Sequence, residues 1–232
     1  MKQVDALVQR AASMGVDVSV PQAEAMIGIL DRMAAEPQNL SSAEAMANGV
    51  DVHLADSLSG LLLPEVREAE GIVDLGSGGG FPGLVLAIML PETPVTMVES
   101  EQRKADWLTR ASQGMRNVRV VADRSESLAR TERGTFPVAT ARALGPLPVV
   151  MELAAPLLRP DGVLVAWRGR RDTVSEVGGP AAGDALGLVH RGDVDAAPIP
   201  GVSRYFSLWT KAAPTPDRFP RRPGMAAKRP LA

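Results

Sequence analysis

Apolar positions recur at helical spacing from Ala23 to Met33, and Pro21 just before them suits a helix start. Ser41 and Glu44 stand three apart, the spacing of a capping box. The run DVHLADSLSGLLL then predicts one amphipathic helix that lasts until Pro64, so residues 1–70 read as a helical extension. Beyond residue 70 the pattern alternates. IVDL is a short buried strand, Leu84 to Met89 a helix, PVTMVES a strand, Arg103 to Gln113 a helix and NVRVVA a third strand. FPVATARA, a helix from Val149 to Leu158, and GVLVAW continue the series. Strands alternating with helices predict an α/β fold, a mostly parallel doubly wound sheet over residues 71–213. GGPAAGDALG breaks the pattern and reads as a loop or frayed helix. GLVHRGDVD and SRYFSLWTK predict two last strands paired antiparallel. Residues 214–232, with five prolines, predict a basic tail without regular structure in isolation.

Composition narrows the chemistry. The 232 residues include no cysteine and two histidines, His53 and His190. This excludes a disulfide scaffold, a cysteine zinc site and a cysteine nucleophile. No apolar run of membrane-spanning length and no signal pattern in MKQVDALVQR point to a cytoplasmic protein without membrane contact. The net charge of -2 is uneven: residues 202–232 carry +6, leaving about -8 on the rest. Such a basic end suits either a polyanionic partner or a solvated tail.

The densest local signal is VDLGSGGGFPG, residues 73–83, with five glycines behind a strand and ahead of a helix. Missing Cβ atoms let a ligand approach the backbone at a helix N-terminus. Gly78, Gly80 and Gly83 satisfy a dinucleotide fingerprint, which is weak alone. Asp74, Gly76, Gly78 and Gly80 satisfy acid-x-G-x-G-x-G, which resembles motif I of class I S-adenosylmethionine-dependent methyltransferases. Asp74 ahead of the glycines suits an ammonium group and would repel a pyrophosphate. Glu99 ends the next strand, where a carboxylate can take both ribose hydroxyls of either cofactor. Pro82 suits the first turn of the helix. A methyl donor is favoured, with a dinucleotide and a ligand-free turn as alternatives.

VDLGSGGGFPG followed by VESEQRKADWL resembles the RsmG (GidB) family of ribosomal RNA methyltransferases. QNLSS, HLADS, DRSESL, TARALGPL and RFPRRPGMAAKRPL resemble that family's segments in the same order, from Gln38 to Leu231. The resemblance implies a Rossmann-like class I methyltransferase fold. It also implies transfer of a methyl group from S-adenosyl-L-methionine to guanine N7 in the 530-loop region of 16S ribosomal RNA. On that resemblance Gly76, Ser77, Gly78, Gly80 and Phe81 form the cofactor loop and Glu99 holds the ribose. Ser125 and Glu126 flank the adenine, and Arg142 sits at the methionine end of the cofactor or at the substrate. Two positions depart from the family pattern: Val52 stands where many members have arginine, and Arg168 where many have lysine.

Guanine N7 carries a free lone pair, so its methylation needs alignment and exclusion of water but no general base. His53 and Asp56, three apart, share a helix face and read either as lining the substrate mouth or as packing the helical layer. Together with Arg142 they are the candidate catalytic residues. Arg168, Arg170 and Arg171 and the basic tail are candidates for RNA phosphates, with 16S ribosomal RNA or a small-subunit precursor as partner and a monomer expected. Trp107, Trp167 and Trp209 read as core. No metal site is expected. Two other readings are a small-molecule methyltransferase and a nucleoside-binding protein without catalysis.

Overall fold

A computed structural model describes residues 1–37, 40–169, 176–196, 199 and 203–231. The seven strands are β1 (Ile72–Leu75), β2 (Val95–Val98), β3 (Val118–Val121), β4 (Phe136–Arg142), β5 (Leu158–Arg168), β6 (Leu188–Asp195) and β7 (Tyr205–Lys211). They form one sheet in the order β3-β2-β1-β4-β5-β7-β6. The first five strands pair in parallel, and β7 is antiparallel to both β5 and β6, as the two terminal strands predicted.

Strand alternation divides the core between the two faces of the sheet. Ile72, Val163, Val165 and Trp167 face one apolar cluster together with Leu7, Met26, Leu54 and Leu84. Val73, Leu75, Leu164 and Ala166 face the other, with Met151, Leu186 and Phe219. Because the central strands are covered on both sides, β1 and β2 are buried at every position. The first face is covered by α1 (Lys2–Ser13), α2 (Val20–Ala34), α6 (Gly83–Met89) and α7 (Gln102–Ala111). α8 (Ser125–Thr131), α9 (Leu147–Ala154) and α10 (Gly179–Leu186) belong to the second. Trp107, Trp167 and Trp209 are all buried, as expected of core residues.

Several local expectations need correction. The capping box lies at Ser19 and Gln22, at the start of α2. Ser41 does not cap: Ser42 does, accepting from the Ala45 backbone N–H ahead of α3 (Ala43–Ala47), because Ser41 Oγ is taken by His53. The run from Asp51 to Leu63 is not one regular helix. It is a wide π-helical turn over Val50–Ala55, then α4 (Asp56–Leu58), then a tight 3-10 turn over Ser59–Leu62, with α5 (Pro64–Arg67) following. Wide turns of this kind re-aim side chains, and here His53, Asp56 and Ser57 are all buried. Pro82 stands one place before α6, at its N-cap. α9 ends at Ala154, and Leu158 already begins β5. The glycine-rich stretch forms α10, closed at both ends by left-handed Gly178 and Gly187. The tail is not free of structure: it packs on the body through buried Phe219 and carries a short helix, α11 (Met225–Lys228).

Candidate functional site

The site lies at the carboxyl edge of the parallel strands, where open α/β sheets bind ligands. β1 runs into the glycine loop. Gly76, Gly78 and Gly80 all have positive φ, at 63°, 53° and 103°, the region that favours glycine. The loop is fastened from β2: Glu99 Oε2 accepts from the Gly78 N–H at 2.9 Å, and Oε1 accepts from the Glu101 N–H at 2.8 Å. The glycines differ in what surrounds them. A Cβ on Gly80 would lie 2.3 Å from Leu84 Cδ1 and one on Gly83 2.8 Å from Asp74 Oδ2, so these two are required by packing. A Cβ on Gly78 would meet nothing closer than the Gly76 carbonyl at 3.7 Å, so this backbone is left open for a ligand. That cradle fits a nucleoside cofactor lying on the loop.

Asp74 is fully buried in the face toward α6. Thr140 Oγ1 donates to its Oδ1 at 2.8 Å, Ser77 Oγ donates to its backbone carbonyl at 2.9 Å, and Oδ2 has no hydrogen-bond partner. Burial pushes its carboxyl up to about 6, opposed by Ser77, Thr140 and the Arg142 charge.

A cavity opens beside the loop on the second face. It is lined by Gly76, Val98, Ser125, Glu126, Leu144 and Gly224 among others. The structure therefore brings Gly76 of the expected loop together with Ser125 and Glu126 around one space, whereas Asp74, Ser77, Gly78, Gly80, Phe81 and Glu99 do not line it. Ala143 has φ 56°, an uncommon left-handed alanine. It turns the chain after β4, so that Leu144 leans over Gly76 while Arg142 points to the first face.

On that first face a charged cluster gathers. Asp56 has no exposed surface. Arg142 Nη1 donates to its Oδ2 at 2.6 Å and to the Val52 carbonyl at 2.8 Å. Arg204 Nε donates to its Oδ1 at 2.9 Å, and the Trp167 indole N–H donates to its carbonyl at 3.0 Å. His53 Nδ1 lies 3.2 Å from Arg142 Nη2 and its Nε2 2.9 Å from Ser41 Oγ. A guanidinium only donates, so Nδ1 accepts and Nε2–H donates to Ser41. Desolvation and the neighbouring Arg142 charge lower the imidazole to about 4, leaving it neutral at pH 7. The ring stacks on Phe81, centroids 4.8 Å apart at 15°, and the Arg142 guanidinium lies 5.6 Å from the Phe81 centroid. His53, Asp56, Phe81 and Arg142 thus form one constellation. Asp56 answers to two arginines rather than to His53.

Arg204 was missed by sequence reasoning, and its only signal was its place in the basic C-terminal stretch. Arg168 is not directed at solvent: Nη1 donates to the Gly145 carbonyl at 2.8 Å and its side chain is largely buried. Arg170 and Arg171 lie outside the described residues. In the tail, Arg221 is bound to buried Glu152, which removes it from the phosphate candidates, while Arg218, Arg222, Lys228 and Arg229 remain exposed. A larger cavity at the opposite edge of the sheet is lined by Gly134, Leu158, Lys211 and Thr215 among others, away from the glycine loop. No helix among the described residues is long and apolar enough to cross a membrane.

Residues 21–178 match the GidB family, rRNA small subunit methyltransferase G. Among curated relatives, the ribosomal RNA small subunit methyltransferase G of Deinococcus radiodurans is 36% identical over 97% of this chain and 92% of its own length. That of Chloroflexus aggregans is 37% identical over 97% of both chains, and that of Rubrobacter xylanophilus 40% identical over 77% of this chain and 72% of its own. Solved structures share the fold at low identity. A mutant of the 16S rRNA (adenine(1408)-N(1))-methyltransferase with cosubstrate SAM from Catenulisporales acidiphilia has TM-score 0.52 and 17% identity, over 66% of this chain and 90% of that one. Aeropyrum pernix fibrillarin with natively bound S-adenosyl-L-methionine has TM-score 0.51 and 18% identity, over 67% and 73%. The sheet and its flanking helices are the Rossmann-like class I methyltransferase fold.

Proposed function

The chain belongs to the GidB family, rRNA small subunit methyltransferase G, and from that premise we propose that it methylates N7 of a guanine in the 530-loop region of 16S ribosomal RNA. It is an S-adenosylmethionine-dependent methyltransferase. The observation that carries the N7 reading is the state of the ionisable groups around the site. His53 is neutral and held at both nitrogens, Asp56 is neutralised by two arginines, and Glu99 is engaged by two backbone N–H groups. Each is already engaged by partners within the protein, Asp74 has no exposed surface, and guanine N7 gives up no proton.

When bound, S-adenosyl-L-methionine supplies an electrophilic sulfonium methyl group. In this reading Gly76, Ser77, Gly78 and Gly80 form the backbone bed under it. Glu99 fixes Gly78 and offers its remaining lone pairs to the ribose hydroxyls. Ser125 and Glu126 would flank the adenine, and buried Asp74 would support the loop from beneath. Phe81, stacked on His53, and Arg142, pinned by Asp56, wall the reacting side against water and hold the target base in line. One Asp56 carboxylate faces two guanidinium groups, so the cluster keeps a net positive charge beside an incoming phosphate. The exposed basic residues of the tail add sequence-independent attraction to RNA. A ribosomal RNA substrate supports a cytoplasmic location, and in this reading the enzyme acts as a monomer.

The test is methylation with labelled cofactor of RNA and small subunits from cells lacking the modification. One labelled guanine, mapped to the 530 loop and sensitive to N7-specific strand cleavage, is expected. Label found only in protein or small molecules would overturn the reading.

A further inference from the structure

We propose that the C-terminal segment, residues 214–231, is a strap that forms the outer wall of the cofactor cavity and sets its size. This rests on the reading of that cavity as the nucleoside site.

Four anchors hold the strap. Arg133 Nη1 donates to the Phe219 carbonyl at 2.7 Å, and its Nη2 donates to the Thr215 carbonyl at 2.6 Å. The Phe219 ring is buried in the apolar cluster of the second face. Arg221 donates to both oxygens of Glu152, from Nε at 2.8 Å and from Nη2, and Glu152 is 1% exposed. A buried carboxylate needs such a partner, so this pair fixes the strap's path. The fourth anchor is at the site itself: the Gly224 N–H donates to Oε1 of buried Glu126 at 2.9 Å.

Gly224 then turns with φ 80° into α11, and Gly224, Ala226 and Ala227 face Gly76, Val98 and Leu144 across the cavity. These three small residues leave room where any larger side chain would enter the ligand's space. The charges of the same segment point the other way: Arg222, Lys228 and Arg229 are exposed. One stretch of chain thus presents a small apolar face to the cavity and a basic face to solvent. A tail that served only to attract phosphates would need neither the buried Glu152 partner nor the Glu126 contact.

The experiment is calorimetry with S-adenosylhomocysteine on the full chain and two variants. Ala227→Phe fills the wall from the strap side. The double variant Glu152→Leu, Arg221→Met removes the buried pair without stranding a charge, which keeps the fold testable. Each is expected to weaken binding by about tenfold or more, a loss of about 1.4 kcal/mol. The double variant should also be cut faster by trypsin after Arg218 and Lys228. Binding by the wild type with both variants unchanged would overturn the strap and leave the methyltransferase reading standing. A wild-type protein that does not bind the probe would overturn the nucleoside reading and the strap with it.

Discussion

Arg142 donates to Asp56 at 2.6 Å across 86 residues of chain, joining the end of β4 to the helical layer over a carboxylate with no exposed surface. The same carboxylate takes Arg204 on its other oxygen. Removing it leaves two guanidinium groups facing each other, one of them well buried. Asp56→Ala should therefore cost about 3 kcal/mol of stability and abolish turnover. Asp56→Asn retains one acceptor and should cost less. Urea unfolding beside a methylation assay checks both, and an unchanged midpoint in the alanine variant would sink the assignment.

His53 makes stability depend on pH. In the unfolded chain its imidazole takes a proton below about 6.5, whereas the folded site resists until about 4. The folded pKa is depressed, so on acidification the unfolded state gains the proton first and stability falls as pH drops through this window. The slope is at most about 1.4 kcal/mol per pH unit. His53→Asn removes this dependence. Chemical denaturation at several pH values, with the imidazole followed by NMR, measures it; protonation of the folded ring near pH 6.5 would contradict the buried, arginine-paired geometry.

Asp74 works in the opposite direction. Its folded carboxyl is raised to about 6, from an ordinary value near 3.8. Its stabilisation is therefore complete at low pH and lost as pH rises through that range. Relative to wild type, Asp74→Asn should gain stability as pH rises through this window, while His53→Asn should lose it. Parallel pH profiles of the two variants would refute the pairing of these environments.

Gly78 and Gly80 separate binding from folding. Gly78 has positive φ but open space beyond it, so Gly78→Val strains the backbone without colliding with a neighbouring side chain, and it blocks the ligand. Cofactor affinity should fall by about 100-fold or more, roughly 2.7 kcal/mol, with a fall in Tm limited to the strain of a left-handed residue, about 1–2 kcal/mol. In Gly80→Val the new side chain collides with Leu84, and the melting temperature should fall first. Unchanged affinity in Gly78→Val would contradict the placement of the ligand on the loop.

These residues also show which parts of the site a sequence can display. The glycine loop is local: strand, turn and helix lie within eighteen residues, and the turn chemistry is written in consecutive positions. His53 and Asp56 share a helix face by simple spacing. What they bond to is not local, because Asp56 is completed by residues 86 and 148 positions away. The cap at Ser41 failed for the same reason, since His53 competes for its hydroxyl from outside the segment. The tail's five prolines argued against structure, and composition has no way to show that Phe219 and Arg221 find a pocket and a carboxylate on α9 and its neighbours. The order of the last two strands shares this limit. Their antiparallel pairing follows from two adjacent strand patterns, whereas the insertion of β7 between β5 and β6 depends on which edge β5 leaves free.

Gly60 connects the helical layer to the constellation in a way that a small substitution can probe. It lies in the tight turn after α4, against the Trp167 ring, and a Cβ there would stand 2.3 Å from Cζ2 and 2.8 Å from Cη2. The same indole donates to the Asp56 carbonyl. Gly60→Ala must therefore displace either the turn or the ring, and both hold Asp56 in place. Overpacking of this kind costs about 1–3 kcal/mol. Turnover should fall while cofactor affinity stays near wild type, because the glycine loop is fastened separately through Glu99. Trp167→Phe shrinks the ring and should recover part of the stability lost in Gly60→Ala, giving a coupled double-mutant cycle. Strictly additive losses would show that the glycine is there for another reason.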